Sequence, residues 1–178
     1  MCRRLKQWSC LVLISLVWSA VATAATVYET QTEFLDRAFN NSPPEPGVVW
    51  LSGDRKLVVQ QILGHDYPAL RVRYWCREGR SAWTLDEVGK DLPITVGIVV
   101  VDTFIESLRV LTYRENRGGE VATPAFTEQF NGSALDGNSM LNTQIDGITG
   151  ATLSVRALSR LATMALFLHS DVGCVNWA

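Results

Sequence analysis

From Leu153 onward, apolar residues recur at helical spacing: Leu153, Ala157, Leu161, Met164 and Leu168, flanked by Leu158, Ala162 and Ala165. Arg156, Ser159, Arg160 and Thr163 fall on the remaining strip, which predicts a largely buried C-terminal helix. Upstream the period changes. Ile94 to Val101 is β-branched and nearly continuous, Asp102-Thr103 turns the chain, and Phe104 to Tyr113 returns, giving an antiparallel strand pair. In "LRVRYWCREGRSAWTLDEVG", Val72, Tyr74 and Cys76 face one way and Arg71, Arg73 and Trp75 the other, and Glu78-Gly79 makes a hairpin turn. "YETQTEFLDRAFNN" predicts an amphipathic helix with Phe34, Leu35, Ala38 and Phe39 on one side, and "SPPEPG" ends it as a stiff connector. "VVWLSGDRKLVVQQILG" reads as two short apolar segments around a Gly-Asp turn. "ENRGGE" at Glu115–Glu120 reads as a loop, followed by a short helix or turn in "ATPAFTEQFNGSAL". The fold class that results is α+β: a twisted antiparallel sheet with an N-terminal helix and a C-terminal helix packed on it.

The first 24 residues change the picture of where this domain works. Arg3, Arg4 and Lys6 precede an apolar run from Cys10 to Ala22, and Ala22–Ala24 offers a small-residue cleavage site. That is the layout of a secretory signal peptide, and the run is short of the ~20 apolar residues a span needs. The expectation is a signal peptide at 1–24, a single domain at 25–178 and a periplasmic location, with an uncleaved N-terminal anchor as the alternative. Loss of the signal removes three basic residues and moves the net charge from −2 to −5, which argues against a nucleic-acid partner. Cys76 and Cys174 remain in an oxidising compartment, either as one disulfide or as two separately buried thiols. The two cysteines are too few and too far apart in the sequence for a zinc site, and the two histidines, His65 and His169, do not rescue a metal reading.

The C-terminal helix is preceded by "QIDGITGATLS", where Thr152 stands between a glycine-rich turn and the apolar repeat. Unpaired backbone amides and the positive end of the helix dipole converge there, which suits a phosphate. A dipole interaction contributes only about 0.3–1 kcal/mol at an exposed site, so it would not hold a ligand alone. Asp146, Thr149 and Thr152 are also ordinary helix-capping residue types. The pattern by itself leaves both readings open.

Asp146 to Ser154, "DGITGATLS", resembles the flavinylation motif of the FMN-binding domain family, which includes periplasmic flavoprotein subunits of the Rnf and sodium-pumping NADH:quinone reductase complexes. That motif runs Asp, two residues, Ser or Thr, Gly, Ala, Thr, any residue, Ser or Thr. Asp146, Thr149, Gly150, Ala151, Thr152 and Ser154 fill every defined place. The resemblance extends loosely over 92–169, and Glu115 and Gly118 stand near the family's Glu-Thr-Pro-Gly loop, with Asn116 and Arg117 where Thr and Pro are frequent. It implies FMN carried covalently on Thr152 through a phosphoester made by a separate flavin transferase. The implied cofactor-binding set is Thr152, Asp146, Gly147, Thr149, Gly150, Ala151, Leu153, Ser154, Glu115 and Gly118.

The residues themselves fit such a group. Gly147 and Gly150 let backbone approach a phosphate closely, and Ala151 keeps the approach open. Trp83, Tyr113, Trp75 and Phe130 are the aromatics that offer a flat wall to an isoalloxazine ring, although a core place is the commoner fate of each. The implied function is electron transfer between a membrane-bound or periplasmic redox partner and another carrier, rather than stand-alone catalysis. The alternatives are a flavin-dependent reductase acting on a small substrate and a non-redox FMN-binding or sensing module. No Gly-x-Ser-x-Gly elbow supports a hydrolase.

Overall fold

The computed structural model describes residues 25–174, so the expected signal segment lies outside the described residues. Six strands form one antiparallel sheet: β1 Thr26–Val27, β2 Pro46–Trp50, β3 Arg71–Arg77, β4 Arg80–Val88, β5 Pro93–Val101 and β6 Phe104–Tyr113, in the order β1-β6-β5-β4-β3-β2. Both predicted hairpins are present, and their turns place Glu78 (φ 50°) and Asp102 (φ 53°) in the left-handed region. The alternation expected along β3 holds. Val72 and Tyr74 belong to one side of the sheet, while Trp75 is buried in the cluster on the other.

Helix α1, Gln31–Ala38, covers one face of the sheet. It begins with a capping box in which the Glu33 amide donates to the Thr30 hydroxyl and the Thr30 amide donates back to the Glu33 carboxylate. Phe34 reaches the sheet at Gly97, where an added Cβ would lie 2.7 Å from the Phe34 ring, so a larger residue in β5 would push α1 off its seat. The other face carries α2 (Gly53–Leu63), the short α3 (Pro124–Thr127) and α4 (Thr152–Asp171). The main core lies between this layer and Trp83, Leu85, Val96, Ile98 and Leu108 of the sheet.

Helix α2 corrects the expectation of two short apolar segments. "VVW" is strand β2, but "GDRKLVVQQIL" is a helix whose Val59 and Leu63, four residues apart, face the core. Leu57 stays 62 % exposed, so three consecutive apolar residues do not mark a buried face. Gly64 ends the helix in the left-handed conformation, its amide donating to Gln60 O.

Three features fix α4. From Ala157 onward its buried face is the predicted one, through Ala157, Leu158, Leu161, Ala162, Met164, Ala165 and Leu168, whereas Leu153, expected on that face, is 41 % exposed at the hollow and Thr163, expected on the polar strip, is buried. Near its end, His169 bridges to the sheet: Nε2–H donates to Asp102 O at 2.8 Å, and Nδ1 accepts from the Ser81 hydroxyl at 2.6 Å. Ser81 in turn accepts from Trp83 Nε1 at 2.7 Å. Burial holds the His169 pKa below its ordinary value, partly offset by the Asp102 carbonyl, and the serine is wholly buried, so this pair is a structural tie rather than a nucleophile. Beyond the helix, Cys174 is disulfide-bonded to Cys76 of β3, with Cα atoms 6.0 Å apart.

Candidate functional site

The N-terminus of α4 opens on a hollow of about 460 Å³ lined by Gly150–Ser154, by Glu115, Asn116 and Arg117 of the loop after β6, and by Lys90 and Asp91 of the β4–β5 turn. Gly150 (φ 84°) turns the chain into the helix, and Ala151, buried, takes the N-cap position without any side-chain cap. Thr152 is therefore the first helical residue and is exposed. The first amide bonded back is that of Val155, to Ala151 O at 3.0 Å. Among the described residues, none accepts a hydrogen bond from the amides of Thr152, Leu153 or Ser154. None of Asp146, Thr149 and Thr152 caps the helix.

Ser154 and Gly118 knit this turn to the sheet. The Tyr113 hydroxyl donates its one proton to Arg117 O at 2.5 Å, so the 3.1 Å contact with Ser154 Oγ is donated by the serine. Burial raises the Tyr113 pKa, and the Ser154 hydrogen bond works against that shift. Gly118 (φ 83°) packs directly on the start of the helix: an added Cβ would stand 2.8 Å from Ala151 Cβ and 2.9 Å from Tyr113 Oη. Gly118→Ala is expected to cost about 1–3 kcal/mol, combining left-handed strain with this clash, and to lower the thermal midpoint measurably.

Glu115 stands at the wall of the hollow with its carboxylate already engaged. Oε1 accepts from the amides of Lys90, Asp91 and Leu92 at 2.6, 2.7 and 2.9 Å, holding the β4–β5 turn against the loop after β6. Partial burial pushes its pKa up, but the three amides outweigh burial and leave it below the ordinary glutamate value. A depressed folded pKa contributes stability that is complete above the unfolded-state value and lost as pH falls through the folded one. Urea titrations across pH 3–6 are expected to show this acid-side loss, and Glu115→Gln is expected to flatten it at a cost of about 1 kcal/mol near neutrality.

The structure brings Thr152, Gly150, Ala151, Leu153, Ser154 and Glu115 to one hollow, with Gly118 directly behind Ala151. Asp146, Gly147 and Thr149 precede it on an exposed stretch, where the Asp146 amide is held by Gln129 Oε1 at 2.8 Å. Sequence reasoning missed Lys90 and Asp91, which reach the hollow only because Glu115 folds their turn onto it. Of the four aromatics considered for a ring wall, Trp83 and Phe130 are wholly buried in the core and Trp75 lies on the α1 side of the sheet. Only the hydroxyl of Tyr113 comes near.

A glycine turn, free helix amides and an uncapped hydroxyl in one hollow are the geometry a phosphate monoester needs, and the comparison with protein families agrees. Residues 89–166 match the family model of the FMN-binding domain. The chain carries an FMN-binding domain. No curated protein matches the chain. The FMN-binding domain begins at Gly89, in the β4–β5 turn, and runs to Leu166 in α4, so it includes every residue that lines the hollow. Strands β1 to β4 and helices α1 and α2 precede it. The match to the FMN-binding domain therefore falls on the part of the fold built from β5, β6 and α4.

Proposed function

We propose that this protein is an exported electron carrier that holds FMN covalently, through a phosphoester to Thr152, and passes electrons between a membrane-bound or periplasmic donor and a second redox partner. One observation carries the reading: the Thr152 hydroxyl is exposed on the first residue of a 20-residue helix that has no side-chain cap, above three amides without partners. Ordinary capping is thereby left without a hydrogen bond to support it. A phosphate esterified to that oxygen meets donors already aimed at it and costs no rearrangement of the backbone. Arg117 adds a cation to the same hollow, and Gly150 leaves the approach clear. FMN supplies the ability to accept and release electrons; the chain supplies the tether, the phosphate seat and the surroundings that set the potential.

A small-substrate reductase would need an acid or base at the hollow. His169 is consumed in the core, His65 is bonded to Glu87 Oε1 at 2.8 Å outside the lining, and Glu115 at the hollow is engaged by three backbone amides. The carrier reading is therefore preferred. Its test is mass spectrometry of the protein produced with and without a magnesium-dependent flavin transferase. The expected product begins at residue 25, after removal of the signal segment, and gains the mass of FMN less one water, on the peptide containing Thr152. An unmodified peptide despite an active transferase overturns the covalent reading, and a retained Met1 overturns export by cleavage.

A further inference from the structure

A larger, open-sided cavity, about 640 Å³, lies farther along α4, lined by α2, the 138–145 loop and one strip of the helix. Its volume falls within the ~300–1,000 Å³ that encloses small-molecule ligands. Val58, Ile62, Met140 and Leu141 give it apolar walls, and Arg156 and Arg160 add two cations from α4. We propose that this cavity seats the isoalloxazine ring of a flavin tethered at Thr152, and that the contacts of the ring come largely from α2 and the 138–145 loop. The inference rests on the covalent reading above.

Helix geometry connects the two places. The residues of α4 that line the cavity are Arg156, Ser159, Arg160 and Thr163, which are 4, 7, 8 and 11 positions beyond Thr152. At about 100° per residue they all lie within about 80° of the Thr152 direction, so the tether and the cavity share one strip. Ser154, about 200° around, is turned to Tyr113 instead. The reach also matches. At about 1.5 Å per residue, the cavity strip begins roughly 6 Å beyond Thr152 along the axis and is centred roughly 11 Å away. A phosphate and an extended five-carbon ribityl chain span roughly 9 Å at ordinary bond lengths.

The two hollows divide the chemistry of FMN between them. The smaller one is lined by Lys90, Asp91, Glu115 and Arg117, which suits phosphate and sugar hydroxyls but offers little to a fused aromatic ring. The larger one offers branched side chains on the α2 side and Met140 on the loop side, a thioether that packs well against aromatic rings. Its loop wall is prebuilt: Asp136 Oδ1 accepts from the amides of Asn138 and Met140 at 2.8 and 2.9 Å, and Leu135 bridges to Leu141. Arg160 lies over the C-terminal end of α2, its Nη2 3.2 Å from where a Cβ at Gly64 would stand. A guanidinium beside the ring favours the electron-rich form of the cofactor, so this arginine sets the potential upward.

Two measurements test the assignment. The first uses protein without covalent flavin and titrates lumiflavin, which has the ring but neither ribityl nor phosphate, by fluorescence quenching. Ser159→Trp, which fills the cavity, is expected to weaken lumiflavin at least tenfold, and Met140→Ala, at a 63 % exposed position that does not endanger folding, about threefold. The second uses protein flavinylated on Thr152 and reads visible circular dichroism and midpoint potential. Ser159→Trp is expected to abolish the induced dichroism while the adduct mass stays, and Arg160→Leu to make the potential more negative. If the adduct is present and neither the dichroism nor lumiflavin binding responds to Ser159→Trp and Met140→Ala, the cavity assignment is wrong and the covalent reading stands. If lumiflavin binds as described but no adduct ever forms, the attachment reading fails, and the cavity is a site for the ring of a free flavin rather than a tethered one.

Discussion

Thr152→Ala will carry no covalent flavin and will fold as the parent does. The loss is complete because the phosphoester needs an oxygen at that position, and Thr149 and Ser154 do not replace it: Thr149 stands on the exposed stretch before the helix, and Ser154 is buried against Tyr113. The cost to stability is small, within about 0.5 kcal/mol, because the exposed hydroxyl makes no cap bond that the substitution removes. Thr152→Ser keeps an oxygen but frees χ1, so slower attachment is expected rather than loss. Asp146→Ala is expected to impair attachment more than stability, its carboxylate being available to the transferase. Undiminished covalent flavin in Thr152→Ala, or an adduct mapped to Thr149 or Ser154, would falsify the assignment. Denatured, precipitated protein that stays yellow in the parent and colourless in the variant is the simplest reading of the result.

The largest expected effect on stability comes from the Cys76–Cys174 bridge. It closes a loop of 98 residues, running from β3 to the end of α4, and so encloses the whole FMN-binding domain. In the chain-entropy description a loop of this length contributes about 4–5 kcal/mol. Replacing both cysteines with alanine is expected to remove most of that and to lower the thermal midpoint on the order of 10 °C. Treating the parent with reductant should reproduce the shift, whereas equal midpoints for oxidised and reduced protein would show that the two sulfurs are not bridged. The flavin hollow sits at the opposite end of α4 from the bridge, so attachment to Thr152 should survive in the alanine pair at low temperature.

Much of this architecture was legible in the chain. Residues 94–113 read as a hairpin because a nearly continuous β-branched run, Ile94 to Val101, meets a two-residue turn and a returning strand, and α4 read as buried because its apolar positions keep helical spacing for five turns. Helix α2 did not read as a helix, since Leu57, Val58 and Val59 are adjacent and only Val59 is buried. Strand β1 has two residues, too few for any period. At the site, Thr152 was found through a local motif, which a linear reading detects well. Lys90, Asp91 and Tyr113 enter through contacts between residues 23 to 41 positions apart, from Glu115 to the β4–β5 turn and from Tyr113 to Ser154. No local pattern announces such pairings. Cys76 and Cys174 were visible as a pair only because two cysteines remained to be matched.

The two residues of β1 fix where the polypeptide enters the domain. Thr26 is opposite Tyr113 in the sheet, and the Tyr28 hydroxyl stands 3.4 Å from where a Cβ at Gly119 would lie. The strand that receives the incoming chain is thus the one whose tyrosine supports the turn beneath Thr152. The entry point and the hollow at the start of α4 share one pole of the molecule, while the disulfide marks the other. A group attached at residue 25 is therefore delivered to the same end as the hollow. Electron exchange with a neighbour attached there would need only a short path, and a label placed at residue 25 would report on the flavin by proximity.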